Sequence, residues 1–392
     1  MSARLAMLSA MLPSPEQTWL LRACLLDGED GREAWRTWRD LAGDPKAAMA
    51  EDRWSVKRLL PALYAALRRN GAVVDATLLP YLKLAYVREQ IRSRTYLGIC
   101  HEILTTLAQA GVPFVVLRGA ALATTAYPDP AIRHCHDISL LVHESDVPQA
   151  TEVLQRNGLQ PVHVAASAGV IVGAAAVLRH ATTLPVELHA RLFGIPLYDV
   201  PTSAVWPRTR QMSVAGARAL VLAPADALLH VCGHAAYSPG RESLRWVCDA
   251  WYLIAANPAL DWELLLESAR RGRLTLPLAV TLRYLSAQLG ATIPESVLER
   301  LQEDARRVPA IERDVALRGA RVGACENLGV MLRRVPGSWR IRTQVVAWLL
   351  WPSREYVRDV VGVRGPTAAL LHYVRRPLDY ARRYLRRTSY AA

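Results

Sequence analysis

The chain has 392 residues, of which 52% are hydrophobic and 21% are charged. This composition is typical of a folded protein with a sizeable core, and it excludes an intrinsically disordered chain. The formal net charge is +13, and most of it comes from residues 331–392, which hold thirteen Arg and three acidic residues. The charge therefore describes a basic C-terminal segment, and the rest of the chain is close to neutral.

Cysteine usage and hydropathy restrict the cellular compartment. The six cysteines are widely spread and contain no C-x-x-C pair, so they predict a reducing cytoplasm rather than a disulfide framework. The N-terminus lacks a convincing cleavage region, and the most apolar runs are shorter than the ~20 residues that cross a bilayer. We therefore expect a cytoplasmic protein without a signal peptide or a transmembrane segment.

Residues 1–95 are predicted to form a helical N-terminal region. Leucines recur at helical spacing between residues 59 and 67, and Asn70-Gly71 ends that helix. Pro80 opens another helix with apolar residues on one side. No pattern in this region indicates chemistry, so we interpret it as a scaffold for the domain that follows.

Residues 96–215 are predicted to form an α/β core. A helix leads into a short apolar strand, which breaks at Arg118-Gly119 and is followed by an Ala-rich segment. A second apolar strand follows a proline-containing turn, and Ser145 or Asp146 caps the next helix. The predicted elements are a helix over 96–110, strands over 112–117, 137–142, 159–164, 169–172 and 184–188, and a helix that ends before Gly158.

Two further regions complete the predicted organisation. Residues 216–335 are predicted to form a helical domain, in which residues 243–256 make one helix. Residues 336–392 are predicted to form the basic, Arg-rich helical C-terminal segment. Within that segment we expect Pro366 and Pro377 to break the chain into short helices.

Acidic side chains lie on two of the predicted strands. Because strand side chains alternate between faces, Asp137 and Ser139 point the same way, as do Glu187 and His189. Carboxylates on neighbouring strands beside a glycine turn suit a metal-bound phosphate. The sequence therefore predicts a functional site where these residues approach the turn at Gly119.

Five sequence motifs resemble those of a known family. They are LRGAAL at residues 117–122, YPDPAIR at 127–133, DISLLV at 137–142, VELH at 186–189 and LRWVCDA at 244–250. Together they resemble the bacterial nucleotidyltransferase-like proteins of the DNA polymerase β superfamily. The resemblance covers most of the chain and implies a small mixed sheet with helices, flanked by N- and C-terminal helical regions. Relatives of this kind occur beside genes for lasso peptides and envelope polysaccharides.

The resemblance also implies roles for individual residues. Asp137 and Glu187 are expected to hold Mg²⁺ or Mn²⁺, which would neutralise phosphate charge and align a displacement. The family strand usually reads DIDLLV, so Ser139 stands in the place of an Asp and predicts a weakened or single-metal site. The expected catalytic group is Asp137, Ser139, Glu187 and His189, and the expected phosphate-binding group is Arg118 (in the place of a Lys), Gly119 and Arg133.

Several other side chains are weaker candidates. The consecutive residues 134–136 (HCH) alternate in direction, so they do not favour a shared zinc ion. His230 and His234 lie four apart on one predicted helix face, without the Glu of an H-E-x-x-H motif. We place His234, Arg245 and Asp249 beside the predicted cleft, and the spacing of the last two predicts an ion pair.

By resemblance, the expected reaction is metal-assisted transfer from a nucleoside triphosphate or a nucleotide sugar to a hydroxyl or phosphate acceptor. The implied acceptor is a peptide, as in lasso-peptide tailoring, or a saccharide. Because Ser139 replaces a carboxylate, the alternative is a catalytically degenerate nucleotide-binding or scaffold protein that recognises a peptide or a partner enzyme.

The basic C-terminal segment leaves its own alternatives open. Its Arg and Tyr residues suit contact with an anionic surface, a nucleic acid or an acidic partner, and equally a set of solvated helices. The segment has no established nucleic-acid motif. We therefore expect a peripheral contact with an anionic surface in preference to nucleic-acid binding.

Overall fold

The computed structural model describes residues 12–51, 56–162, 174–193, 200–237, 244–309 and 365–388, together with residues 198, 313 and 351. Helices surround a mixed sheet of seven strands, which confirms the predicted α/β class with flanking helical regions. The strands are β1 Val115–Leu117, β2 Ile138–Leu141, β3 Gln160–Val162, β4 Ala176–Arg179, β5 Pro185–His189, β6 Arg210–Val214 and β7 Ala217–Val221.

The helices come before, between and after these strands. Before the sheet lie α1 Pro15–Leu25, α2 Gly28–Ala42, α3 Pro45–Glu51, α4 Leu60–Arg69 and α5 Leu78–Gln109. Between strands lie α6 Gly119–Thr125, α7 Val147–Arg156 and α8 Thr202–Val205. After the sheet lie α9 Pro224–Tyr237, α10 Arg245–Ala256, α11 Trp262–Arg271, α12 Thr275–Leu289, α13 Glu295–Arg307 and α14 Pro366–Thr388.

The strand order is β3-β4-β5-β2-β1-β7-β6. The central pairs are mixed, because β2 runs parallel to β5 and antiparallel to β1, which in turn runs parallel to β7. The strands β1, β2 and β5, which the sequence predicts, therefore form the middle of the sheet. Both outer pairs, β3–β4 and β6–β7, are antiparallel.

The two faces of the sheet pack against different helices. Val116 and Leu140 belong to a core that includes residues of α5 and α7. Val115 and Leu117 belong to a second, larger core that includes residues of α9 and α10. This division follows from the alternation of side chains along each strand. The polar side chains of β2 and β5 lie on the second face.

The helices before and after the sheet share one core. Trp35 and Trp38 are buried and stack with ring centroids 5.6 Å apart, in the same cluster as Leu285 of α12. The hydroxyls of Thr18 and Tyr284 form a hydrogen bond of 3.0 Å between α1 and α12. The N-terminal scaffold is therefore packed directly against the helices that follow the sheet.

Two helices expected on either side of residue 95 are one helix in the structure. Helix α5 runs without a break from Leu78 to Gln109. Pro80 lies in its first turn, where a missing N–H removes no internal hydrogen bond. Gly98 is its one interior glycine, and one glycine costs only about 1 kcal/mol in a helix. Nothing in this stretch therefore ends the helix before Gly111.

The helical prediction from residue 216 onward is wrong at its start. Strands β6 and β7 form a hairpin, and Val214 pairs with Ala217 across a two-residue turn. Ala215 and Gly216 both have positive φ, at 52° and 80°, as a type I′ turn requires. The usual signal for that turn is Asn-Gly or Asp-Gly, so Ala-Gly concealed the hairpin. Strand β4 is a further strand that the sequence did not predict.

Pro377 was predicted to break the C-terminal segment, and that prediction is also wrong. Helix α14 continues through Pro377 from Pro366 to Thr388. A proline inside a helix removes one backbone hydrogen bond and bends the axis, but flanking turns can continue the helix. The predicted strand over 169–172 lies outside the described residues.

Candidate functional site

The polar cluster forms where β2 and β5 lie side by side. Ser139 is the register partner of Glu187, and Leu141 is the partner of His189. Asp137 directly precedes β2, two residues before Ser139, and therefore projects from the same face. The structure thus brings Asp137, Ser139, Glu187 and His189 together on one side of the sheet.

Asp137 is the acidic centre of this cluster, and its side chain is 22% exposed. Ser139 Oγ donates a hydrogen bond of 3.1 Å to Asp137 Oδ2, and His136 Nδ1 lies 3.6 Å from Oδ1. Burial by itself raises the pKa of Asp137. Electrostatic attraction by His136, Arg118 and Arg245 outweighs burial and holds the pKa well below its usual range.

Glu187 and His189 form a second pair. Glu187 Oε2 lies 3.2 Å from His189 Nε2, and the two side chains are 28% and 10% exposed. Since His189 follows Glu187 by two residues, the strand itself holds both side chains on one face. This arrangement fits the predicted role of His189 as the residue that orients Glu187, which stays a prediction.

Arg118 and Gly119 connect β1 to α6 beside Asp137. Arg118 has a φ of 38°, an uncommon conformation for a residue with a side chain. A Cβ at Gly119 would lie 3.1 Å from Tyr96 Oη and 3.4 Å from the carbonyl oxygen of Asp137. Tyr96 Oη in turn donates a 2.9 Å hydrogen bond to that carbonyl. Gly119 therefore allows the turn to approach the start of β2 closely.

The Arg118 side chain is partly buried and incompletely bonded. Its Nε has no hydrogen-bond partner among the described residues. An unsatisfied buried donor is costly, so such a group favours an acceptor from a ligand or from water. Arg118 thus offers a positive charge and an open donor beside Asp137, as a phosphate contact requires.

Helices α9 and α10 cover the cluster from the second face of the sheet. Burial lowers the pKa of His234 well below its usual value, and the nearby charges of Arg118 and Arg245 lower it further. The buried His230 lies one turn earlier. Its pKa is lowered mainly by burial, and the positive charge of Arg118 lowers it further. Arg245 Nη1 lies 3.0 Å from His136 Nδ1. His234 and Arg245 therefore lie close to the cluster, and their place beside a cleft stays a prediction.

Arg133 and Asp249 form a closed ion pair away from solvent. Arg133 Nε and Nη2 donate hydrogen bonds of 2.8 Å to the two carboxylate oxygens of Asp249, and the side chains are 4% and 6% exposed. Tyr127 Oη donates to the same carboxylate at 2.6 Å. The sequence predicted Arg245 as the partner of Asp249 and a phosphate contact for Arg133. The structure instead pairs Arg133 with Asp249. The phosphate contact of Arg133 stays a prediction.

The segment before Asp137 is fixed to helix α5. Glu89 Oε2 lies 3.0 Å from His134 Nδ1, and Arg92 donates a hydrogen bond to the carbonyl oxygen of Cys135. Within the described residues, no group of three or more His, Cys, Asp or Glu is arranged to hold a metal ion. The carboxylates of Asp137 and Glu187, with the neutral hydroxyl of Ser139, are the donor set on this face.

A small cavity and a larger groove lie near the cluster, against neighbours of its residues. The cavity, of about 80 Å³, lies against Arg118 and His230. It is smaller than the ~150 Å³ that accepts one benzene ring, so it does not suit a nucleobase. The groove, of about 380 Å³, extends from Tyr96 and His136 to the β4–β5 turn at residues 182–185. The groove reaches His136, the neighbour of Asp137, but none of the four cluster residues lines it.

Sequence reasoning missed three contributors to the site. His136 and Tyr96 both contact Asp137, and the φ of Arg118 constrains the turn. His136 was adjacent to Asp137 in the sequence, but its bond to Arg245 links residues 109 apart. Tyr96 lies 41 residues before its partner, on α5. Contacts at such separations have no local sequence signal.

Comparison with known proteins identifies the class to which this fold and cluster belong. A family described as uncharacterised nucleotidyltransferase matches residues 53–307. The match takes in more than half of the chain and all residues of the cluster. The chain therefore belongs to this nucleotidyltransferase family, which confirms the coarse family predicted from its motifs.

A second comparison concerns solved structures. One match is the crystal structure of an antigenic nucleotidyltransferase-like protein from Paracoccidioides brasiliensis, at 14% identity and a TM-score of 0.32. The match covers 53% of this chain and 96% of that chain. No curated protein sequence matches the chain. The family match alone therefore carries the assignment.

Proposed function

We propose that the chain catalyses metal-assisted transfer from a nucleoside triphosphate or a nucleotide sugar to a hydroxyl or phosphate acceptor. The observation that carries this proposal is the register of β2 and β5, which sets Ser139 beside Glu187 and leaves Asp137 on the same face. Family membership supports the transferase class. The cation Arg118 at the neighbouring turn supports a phosphate-bearing donor.

Asp137 and Glu187 are the residues that would hold Mg²⁺ or Mn²⁺. Their donor set fits one hard cation, because Mg²⁺ usually takes one or two carboxylates and completes its shell with water and substrate phosphates. It does not fit two metals, since Ser139 supplies a neutral oxygen where a further carboxylate would balance charge. The ion would neutralise the phosphate and orient the displacement. A weakened, single-metal site is therefore part of the proposal.

The protein's own cations would supply the remaining charge. Arg118 offers a buried Nε that has no partner among the described residues, and Arg245 lies within electrostatic range of Asp137. Arg gives a fork of donors that suits phosphate oxygens better than a single ammonium does. In this proposal Gly119 lets the turn approach the phosphates, and His189 orients Glu187 or accepts a proton from the acceptor hydroxyl.

The acceptor would bind in the groove beside His136. The groove combines polar groups with apolar ones. The hydroxyls of Thr95, Thr182 and Thr183 and the cation of Arg92 line it together with the apolar Ile99, Leu184 and Pro185. Such a lining suits a molecule with both hydrogen-bonding and apolar parts, such as a saccharide or a peptide. We place the reaction in the cytoplasm, where the five buried free cysteines of the described part of the chain would remain reduced.

A second candidate function follows from Ser139. Because Ser139 donates its hydroxyl to Asp137, and cations surround that carboxylate, the site can be stable without metal. This observation favours a degenerate protein that binds a nucleotide, or a scaffold that recognises a peptide or a partner enzyme. Metal-dependent nucleotide turnover would exclude it.

The first experiment is a thermal-shift panel of the four ribonucleoside triphosphates and common nucleotide sugars, with Mg²⁺, with Mn²⁺ and without metal. Ligand binding to the native state raises its stability by mass action, by about 2.7 kcal/mol at a hundredfold excess over Kd. We expect a metal-dependent shift in the wild type that Asp137→Asn abolishes. No shift with any donor would contradict the proposal and favour the scaffold.

A further inference from the structure

Helix α14 exposes its apolar residues to solvent. Leu370, Leu371, Val374 and Leu378 are 65%, 49%, 57% and 55% exposed. Positions 370, 374 and 378 recur every four residues and therefore lie on one face of the helix. Surface helices of globular proteins normally turn such a stripe toward the core. Here the leucines point outward, and they indicate an apolar partner.

The same helix is strongly basic. Its 23 residues include six Arg and one Asp, and its half-buried positions include His372 and Arg376 rather than the leucines. The arginines are Arg375, Arg376, Arg382, Arg383, Arg386 and Arg387. A helix with an apolar stripe and an excess of Arg matches a surface that is anionic outside and apolar just beneath.

We propose that α14 lies in the surface of an anionic lipid bilayer, with its leucines among the acyl chains and its arginines at the headgroups. Interfacial helices combine these two features and bury their apolar face about 5–10 Å into the boundary. No helix in the described part of the chain is long and apolar enough to cross a membrane. The helix therefore lies along the surface and holds the transferase next to it. This proposal is independent of the transfer reaction.

Two other occupants explain the observations less well. A nucleic acid would bind the arginines through its phosphates, but it would leave the four aliphatic side chains exposed. A second copy of the chain would offer Leu84, Val87 and Ile91, which form an exposed apolar stripe on α5. The flanking sequence of that stripe is also basic, with four Lys and Arg against one Glu over residues 83–94, so the two helices would repel.

The test is co-sedimentation of the full-length chain with phosphatidylcholine vesicles, with and without phosphatidylglycerol, at low and high salt. We expect binding that requires phosphatidylglycerol and weakens with salt. Leu370→Gln with Val374→Gln keeps the charge and should lower vesicle affinity at least about tenfold. Arg382→Gln with Arg383→Gln should lower affinity for the anionic vesicles alone.

The matched control is Val73→Gln, because Val73 is 84% exposed but lies outside α14. It should bind vesicles like the wild type, and all variants should keep the wild-type unfolding temperature of the body. Unchanged vesicle binding by the Leu370→Gln, Val374→Gln variant would overturn the proposal. The proposal would also be overturned if the variants lost affinity for a single-stranded polynucleotide but not for vesicles, or if the Leu370→Gln, Val374→Gln variant converted an oligomer into a monomer.

Discussion

Asp137 and Asp249 are both carboxylates held beside arginine, but their surroundings differ. Asp249 is 6% exposed, and Arg133 and Tyr127 bond both of its oxygens. Asp137 is 22% exposed, and cations attract it without such a closed set of short bonds. A closed pair fixes the fold, whereas an open carboxylate keeps coordination free for a ligand. One carboxylate is therefore enclosed by its partners, whereas the other stays partly accessible on the sheet face.

The largest effect is expected when the closed pair is broken. Asp249→Asn leaves the buried Arg133 without its counter-charge and should lower the free energy of unfolding by about 3–5 kcal/mol. Urea denaturation measures the loss. The double variant Arg133→Met with Asp249→Leu should recover most of it, because no charge is then left buried. A loss below about 1 kcal/mol in the single variant would show that the pair is not closed in solution.

The next largest effect should come from adding a carboxylate to the open site. Ser139→Asp places a second acid two residues from Asp137 on the same face, and should tighten Mn²⁺ binding about tenfold, or 1.4 kcal/mol. Calorimetric titration measures the affinity. Ser139→Asn has the same shape without the charge and is the matched control. Equal Mn²⁺ affinity in both variants would argue against a metal at this position.

A smaller effect is expected on the pH dependence of stability. The pKa of Asp137 is depressed in the folded state, so its charge stabilises the fold above its unfolded pKa of about 3.9. This contribution is lost as the pH falls through the folded pKa. Asp137→Asn should therefore cost on the order of 1 kcal/mol at pH 7, and the difference from wild type should shrink below about pH 4.

Denaturation of the two proteins between pH 7 and pH 3.5 tests this dependence. Asp137→Asn removes the charge but keeps the shape and a group that can accept from Ser139. If the variant were more stable than the wild type at pH 7, burial would outweigh the cations, and Asp137 would be a strained charge kept for function.

The central strands could be predicted from the sequence, because β1 and β2 are short apolar runs between turn residues and β5 alternates apolar with polar side chains. Strand β2 was expected over 137–142 and occupies Ile138–Leu141, and β5 was expected over 184–188 and occupies Pro185–His189. The alternation of side chains then gave the shared face of Ser139 and Glu187. Local pattern was sufficient there because strand geometry is local.

The rest of the site depends on contacts between distant residues. Arg133 and Asp249 are 116 residues apart, and the sequence offered the nearer Arg245 as a partner by helical spacing. The β6–β7 hairpin was missed because Ala215 adopts a positive φ that its side chain does not favour. Each of these errors arose where tertiary packing overrides the local conformational preference of a residue. The sequence of one chain does not show that packing.

The hydrogen bond between Thr18 and Tyr284 joins residues 266 apart and has a consequence for synthesis. At about 5–20 residues per second, the ribosome needs roughly 15–50 s to make Tyr284 after Thr18 has formed. During that interval the nascent chain carries the Trp35–Trp38 pair without the α12 residues that complete its core. The helices made first therefore expose apolar surface to chaperones until the last third of the chain emerges from the ribosome.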